Sequence, residues 1–179
     1  MERVGLSEEK MLSKNIYLIG FMGTGKSTIS KVLSEMTKSI EIDIDYEIVK
    51  KEKKAIAQIF ELHGEAYFRN IETEIIRITT EQTGAIVSCG GGAVLKKENV
   101  ALMKNSGIIV LLTATPETIL SRIKNDKNRP LLNGNMTIEH ISEMMNKRKV
   151  MYENAKDFEI STESKTEDEI AKEIVNRIV

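Results

Sequence analysis

Gly20-Phe21-Met22-Gly23-Thr24-Gly25-Lys26-Ser27 reads G-x-x-x-x-G-K-S, the phosphate-binding P-loop pattern. Immediately before it, Ile16-Tyr17-Leu18-Ile19 is a short apolar run suited to a buried strand. Immediately after it, from Thr28, Ile29, Val32, Leu33 and Met36 recur at helical spacing. The motif thus has the strand, turn and helix it needs. Glycines at 20, 23 and 25 let the backbone wind so that successive N–H groups, from Gly23 through Thr28, point at phosphate oxygens. The helix start near Lys26 adds the positive end of its dipole. Lys26 can reach the β- and γ-phosphates of a nucleotide, and the Ser27 hydroxyl can ligate magnesium. At ordinary glycine usage, a chance match in a chain this long is roughly a one per cent event.

The rest of the composition narrows the field. A chain of 179 residues is one domain by size and long enough to bury a proper core. A net charge of −1 leaves no broad basic surface for nucleic acid or anionic lipid. With no Trp and 4% aromatic residues, base-stacking platforms are not expected either. Any anionic ligand must then be held by a few placed cations, which makes single arginines informative. Cys89 is the one cysteine, which rules out an internal disulfide and suits a reducing compartment. No apolar run approaches the ~20 residues of a membrane span. Residues 1–14 are charged, lack the apolar stretch of a secretory signal, and read as a flexible or loosely packed arm. A cytoplasmic protein is expected, acting as a monomer on small molecules, with neither nucleic acid nor membrane as partner.

Beyond the first helix, residues 40–45 (Ile-Glu-Ile-Asp-Ile-Asp) alternate apolar and acidic side chains. A strand through the whole stretch would send Asp43 and Asp45 to one side. Residues 46–62 read as one helix, ended by His63-Gly64. A second helix over 65–80 is expected to bury Phe68, Ile71, Ile75 and Ile78. Residues 85–88 form a short strand that runs into Gly90-Gly91-Gly92, and a helix near 97–105 leads to an apolar strand at 108–112. Thr115-Pro116 marks a capped helix start, and that helix fades near Lys124. The polar stretch 124–136 reads as a lid loop. A helix over 137–152, a strand at 158–160 and a capping box at Thr166–Glu169 complete the chain. Strands alternating with helices predict an α/β fold: a P-loop NTPase-type three-layer αβα domain over 15–179, with a central, mainly five-stranded parallel sheet. Ligands of such sheets bind beyond the carboxyl ends of the strands. The P-loop, the acid pair and the triple glycine all follow predicted strands and should meet in one crevice.

Phosphoryl transfer needs a metal site and a group that orients the attacking hydroxyl. Asp43 and Asp45 could divide those duties, although acidic residues at a sheet edge also serve solubility. The triple glycine could present N–H groups to a hydroxyl or carboxylate, or could be a plain turn. Cys89 reads as a packed strand-end residue. Arg148 falls on the apolar stripe of its helix with Ile138, Ile141, Met145 and Tyr152. A guanidinium there must either pair with an aspartate or bind an anion. Arg69, after Phe68, lies similarly near the core. Arg129 suits a loop that closes over phosphates and excludes water, or is an ordinary surface residue.

Six blocks in order resemble the shikimate kinase family: 20–27, Asp43-Ile44-Asp45, Phe68-Arg69, Gly90-Gly91-Gly92, Arg129-Pro130-Leu131-Leu132, and Lys147-Arg148 with Tyr152. The resemblance covers about residues 15–179. It implies transfer of the ATP γ-phosphoryl group to the 3-hydroxyl of shikimate, with magnesium as the metal. By position, Lys26 and Ser27 would serve phosphates and metal, and Asp43 would support the metal through water. Asp45 would hold shikimate hydroxyls as the candidate base. Arg69 and Arg148 would clamp the carboxylate, with Gly90, Gly91 and Gly92 completing that pocket and Phe60 and Phe68 lining it. Arg129 would meet the transferring phosphate, and Arg122 matches the position packed against adenine. The arm at 1–14 and the stretch 161–165 depart from the family pattern. Two other readings stay open: a different small P-loop kinase, for gluconate or a nucleoside monophosphate, and a nucleotide-binding module without transfer.

Overall fold

Asn15–Ile19 (β1), Glu41–Asp43 (β2), Ile86–Ser88 (β3), Gly107–Thr113 (β4) and Phe158–Ser161 (β5) form one parallel sheet in the order β2-β3-β1-β4-β5. The structure is a computed structural model and describes residues 12–124 and 137–178. The strand preceding the P-loop is therefore the middle one. Successive side chains of β1 point to opposite faces. Tyr17 and Ile19 join one core, with Val87, Ile109 and residues such as Ile59, Ile75 and Met103. Ile16 and Leu18 join the other, with Ile29, Leu33, Ile170 and Ile174. These two cores define three layers. Lys26–Thr37 (α1) and Glu167–Ile178 (α7) cover one face. Ile44–Glu52 (α2), Ile56–Thr79 (α3) and Lys97–Ser106 (α4) cover the other. Pro116–Ile123 (α5) and Ile138–Ala155 (α6) pack on Phe21 in a third cluster beyond the strand ends. Leu12 packs against the α1/α7 core.

Three expectations are corrected. The strand expected over 40–45 stops at Asp43, and α2 begins at Ile44. Asp43 is the reason: its Oδ1 accepts the Tyr46 N–H at 3.1 Å, a helix N-cap that outweighs continuation of the strand. Asp45 accordingly sits in the first turn of a helix, not two residues along a strand from Asp43. The single helix expected over 46–62 is two helices, because Lys53 turns left-handed (φ 53°) and its N–H closes on Val49 O. Gln58 then reaches back to the Ala55 N–H at 3.0 Å to start α3. Neither glycine nor asparagine marks that break, and the apolar periodicity runs straight through it. At the second break α3 kinks at Gly64, as the His63-Gly64 signal suggests. Ile78 is 49% exposed; the inward stripe of α3 is instead Phe68, Ile71, Glu72, Ile75, Ile76 and Thr79.

Candidate active site

The neighbours of β1 in the sheet are β3 on one side and β4 on the other, so connections diverge at its carboxyl end and leave a crevice there. Gly25 caps α1 with φ 90°, a conformation that a side chain would strain, and Lys26 opens the helix. Thr24 is buried and its hydroxyl donates to Phe21 O at 2.8 Å, bracing the loop. Lys26 is 9% exposed and lies back across the loop, its Nζ donating to Gly20 O at 2.9 Å and Phe21 O at 3.0 Å. Ser27 and Thr28 are exposed. Gly23, Thr24, Gly25, Lys26, Ser27 and Thr28 all line a cavity of about 470 Å³, together with Asp45, Ser88, Gly91, Arg122 and Thr162.

The Ser27 hydroxyl donates to Asp43 Oδ2 at 2.7 Å and lies 3.3 Å from the Ser88 hydroxyl. Asp43 thus uses one oxygen to cap α2 and turns the other to the P-loop. Two hard oxygen donors at the head of α1 suit magnesium, which takes one or two protein ligands and fills its shell with water and phosphate. Among the described residues no three His, Cys, Asp or Glu side chains converge as a self-contained metal cage.

Asp45, Glu72 and Arg69 meet across the triple glycine. A Cβ on Gly90 would fall 2.8 Å from Glu72 Oε1 and 3.0 Å from Asp45 Oδ1, so only a glycine lets both carboxylates approach. A Cβ on Gly92 would fall 2.4 Å from Arg69 Nη2; the guanidinium lies flat against the turn. Arg69 donates from Nη1 to Glu72 Oε2 at 2.9 Å and is 5.2 Å from the Phe68 ring centre. Phe68 packs on Phe60 at 4.7 Å between centres. Glu72 is fully buried, and its Oε1 has no hydrogen-bond partner in the structure. Burial pushes its carboxyl up to about 7, against the pull of Arg69 and with a further push from Asp45. Glu72 is a site residue that the sequence reading missed. Its signal was present: it lies four residues after Phe68 and three before Ile75, on the same apolar stripe.

Arg148 stands 5.8 Å from the centre of the Phe21 ring, directly over the P-loop. The aspartate pairing left open for it is not found: among the described residues it touches Phe21 and Tyr152. Ile138, assigned to the same stripe, is 37% exposed, whereas Ile141 and Tyr152 are buried. The Tyr152 hydroxyl donates to Gly91 O at 2.5 Å and ties α6 to the glycine turn; burial raises it to about 12 while Arg148 pulls it down. Arg122 donates to Gly23 O at 3.3 Å, to Thr162 Oγ1 at 3.0 Å and to Thr162 O at 3.2 Å. Thr162, left aside because 161–165 departs from the pattern, therefore belongs to the cavity wall. Cys89 is buried 3.7 Å from Met103 Sδ, and burial drives its thiol far up, which suits packing and not attack. Arg129 and the 125–136 part of the expected lid lie outside the described residues.

A parallel αβα sheet with this loop at the end of its central strand, facing an acid and a guanidinium, defines a small P-loop kinase. A family model for shikimate kinase matches residues 22–179. The shikimate kinase of Caldicellulosiruptor saccharolyticus is 42% identical over 163 residues, covering 91% of this chain and 94% of that protein. That of Persephonella marina is 44% identical over 165 residues, covering 92% and 99%. The solved shikimate kinase of Acinetobacter baumannii, in complex with shikimate, superposes with a TM-score of 0.89 at 33% identity and 94% coverage of each chain. The chain belongs to the shikimate kinase family. It is an ATP-dependent kinase with a hydroxyl group as acceptor.

Proposed function

We propose that this chain transfers the γ-phosphoryl group of ATP to the 3-hydroxyl of shikimate, giving shikimate 3-phosphate and ADP in aromatic amino-acid biosynthesis. The observation that supports it most is the meeting of Asp45 and Arg69 across Gly90 and Gly92, next to the P-loop. A compact acid bearing hydroxyls needs a cation and a carboxylate in one pocket, and these residues supply both. The Acinetobacter baumannii relative, solved with shikimate bound, supports the same substrate.

In this reading the loop N–H groups from Gly23 to Thr28 cradle the phosphates, and Lys26 leaves the loop carbonyls to meet their charge. Arg122 packs against the adenine. Ser27 and Asp43 would hold magnesium, whose charge offsets that of the phosphate oxygens when bound. Arg69 and Arg148 grip the substrate carboxylate, with Gly90, Gly91 and Gly92 beneath it and Phe60 and Phe68 beside it. That grip aims the 3-hydroxyl at Asp45, which accepts its hydrogen bond and orients it for in-line attack. Arg129 meets the transferring phosphate, a role that rests on the family resemblance alone. Catalysis by such a site is positioning plus electrostatic stabilisation. The kinase domain is 15–179, working as a cytosolic monomer; no helix among the described residues is long and apolar enough to cross a membrane.

The test is purified protein with ATP, magnesium and shikimate, following ADP release, with gluconate and AMP as rival acceptors. ADP release that requires shikimate and ignores the other two is expected. Release indifferent to shikimate, or preferring a rival, would contradict the proposal.

A further inference from the structure

The guanidinium that would receive the substrate carboxylate already holds two. Arg69 Nη1 donates to Glu72 Oε2, while Nε (3.2 Å) and Nη2 (3.1 Å) both donate to Glu65 Oε1. The two partners differ in standing. Glu72 is wholly buried beneath Gly90, whereas the Glu65 side chain is 60% exposed and Arg69 itself only 14%. Glu65 opens the helical run after the kink at Gly64, with most of its side chain already in solvent. It is therefore free to swing into water at small cost. The edge it occupies is the one a planar carboxylate takes with two parallel N–H···O bonds. Glu65 engages that edge with a single oxygen.

We infer that Glu65 is a built-in competitor for the substrate carboxylate. It holds the carboxylate-binding edge of Arg69 in the free enzyme and leaves when a carboxylate ligand arrives. The inference rests on the reading of Arg69 as half of the carboxylate clamp. It assigns Glu65 a part in specificity. A carboxylate ligand exchanges a one-oxygen ion pair for a two-oxygen one, whereas a neutral polyol would break the pair and return nothing. The cost of the exchange is that of an exposed ion pair, about fivefold in an equilibrium constant at most.

Five proteins test it: wild type, Glu65→Ala, Glu65→Gln, Arg69→Lys, and the Glu65→Ala/Arg69→Lys double variant, each measured for its shikimate KM, its ATP KM and inhibition by acetate. Arg69→Lys keeps a cation against Glu72 but loses the fork. Glu65→Ala should lower the shikimate KM about two- to fivefold. It should also make acetate a several-fold better inhibitor, competitive with shikimate, because an edge of Arg69 is now open to a free carboxylate. Both effects should vanish in the Arg69→Lys background, since coupling requires the pair. Glu65→Gln, which keeps an oxygen but not the charge, should fall between. An unchanged or raised shikimate KM in Glu65→Ala, together with unchanged acetate inhibition, would overturn the inference while leaving the clamp standing. An Arg69→Lys enzyme with normal shikimate KM would overturn the clamp itself, and the inference with it.

Discussion

Glu72 brings a proton into the site. Its folded-state value near 7 stands above the ordinary 4.5 because burial disfavours the charge more than Arg69 favours it. The folded chain thus keeps a proton that the unfolded chain releases near 4.5. The resulting stability is complete below pH 4.5 and is lost as pH rises towards 7. At about 1.4 kcal/mol per unit, the loss is on the order of 3 kcal/mol. Glu72→Gln should flatten this decline in denaturant midpoints measured between pH 5 and 8; an unchanged slope would place the proton elsewhere. Lys26 supports a second expectation. Held now by the carbonyls of Gly20 and Phe21, it is a cation within the phosphate-binding loop itself. Lys26→Met should lose at least a hundredfold to a thousandfold in kcat, roughly the value of one preorganised transition-state donor; near-normal kcat would remove it from catalysis. The two residues were unequally legible. Lys26 is fixed by its motif, whereas a glutamate in a charged helix reads as solvated until the stripe Phe68, Ile71, Ile75 is traced through it. The same tracing singled out Arg148.

Among the elements, boundaries whose signal stands clear of a continuing apolar pattern were readable, and those that a pattern runs through were not. Thr115 accepts from the Thr118 N–H at 3.2 Å, and Thr166 and Glu169 bond reciprocally, as their capping patterns imply. The end of α2 carries no such signal, because Lys53 takes the left-handed turn with a side chain that opposes it. Lys50 and Lys51, favourable at the negative end of the helix dipole, offset part of that strain. Lys53→Gly should therefore raise stability by about 1 kcal/mol, read as an increase in Tm. A fall in Tm would mean that the Lys53 side chain contributes more than its backbone strain costs. The boundary between β2 and α2 has the same moral. Alternation in residues 40–45 suggests a longer strand, but an aspartate able to cap a helix ended it two residues early, and in doing so carried Asp45 to the cavity.

At the scale of the molecule, the alternation of strand and helix made the layered parallel sheet legible, and the rule that ligands bind beyond its strand ends made the crevice legible. The order of the strands was not, because no residue pattern encodes which parallel neighbours a buried strand selects. That order decides the site. With β1 between β3 and β4, the P-loop is flanked by the triple glycine after β3, and α6 crosses beyond the strand ends to set Arg148 over Phe21. In the proposed reaction the P-loop holds the phosphates, while Arg69 and Arg148 hold the substrate carboxylate by separate means. Arg148→Ala addresses this division most directly, with the KM values for shikimate and ATP measured side by side. Truncating one partner of a charge-assisted contact costs about 2 kcal/mol or more. The shikimate KM should then rise about thirtyfold or more while the ATP KM stays within about threefold. A shikimate KM that does not move, or an ATP KM that rises with it, would contradict the account.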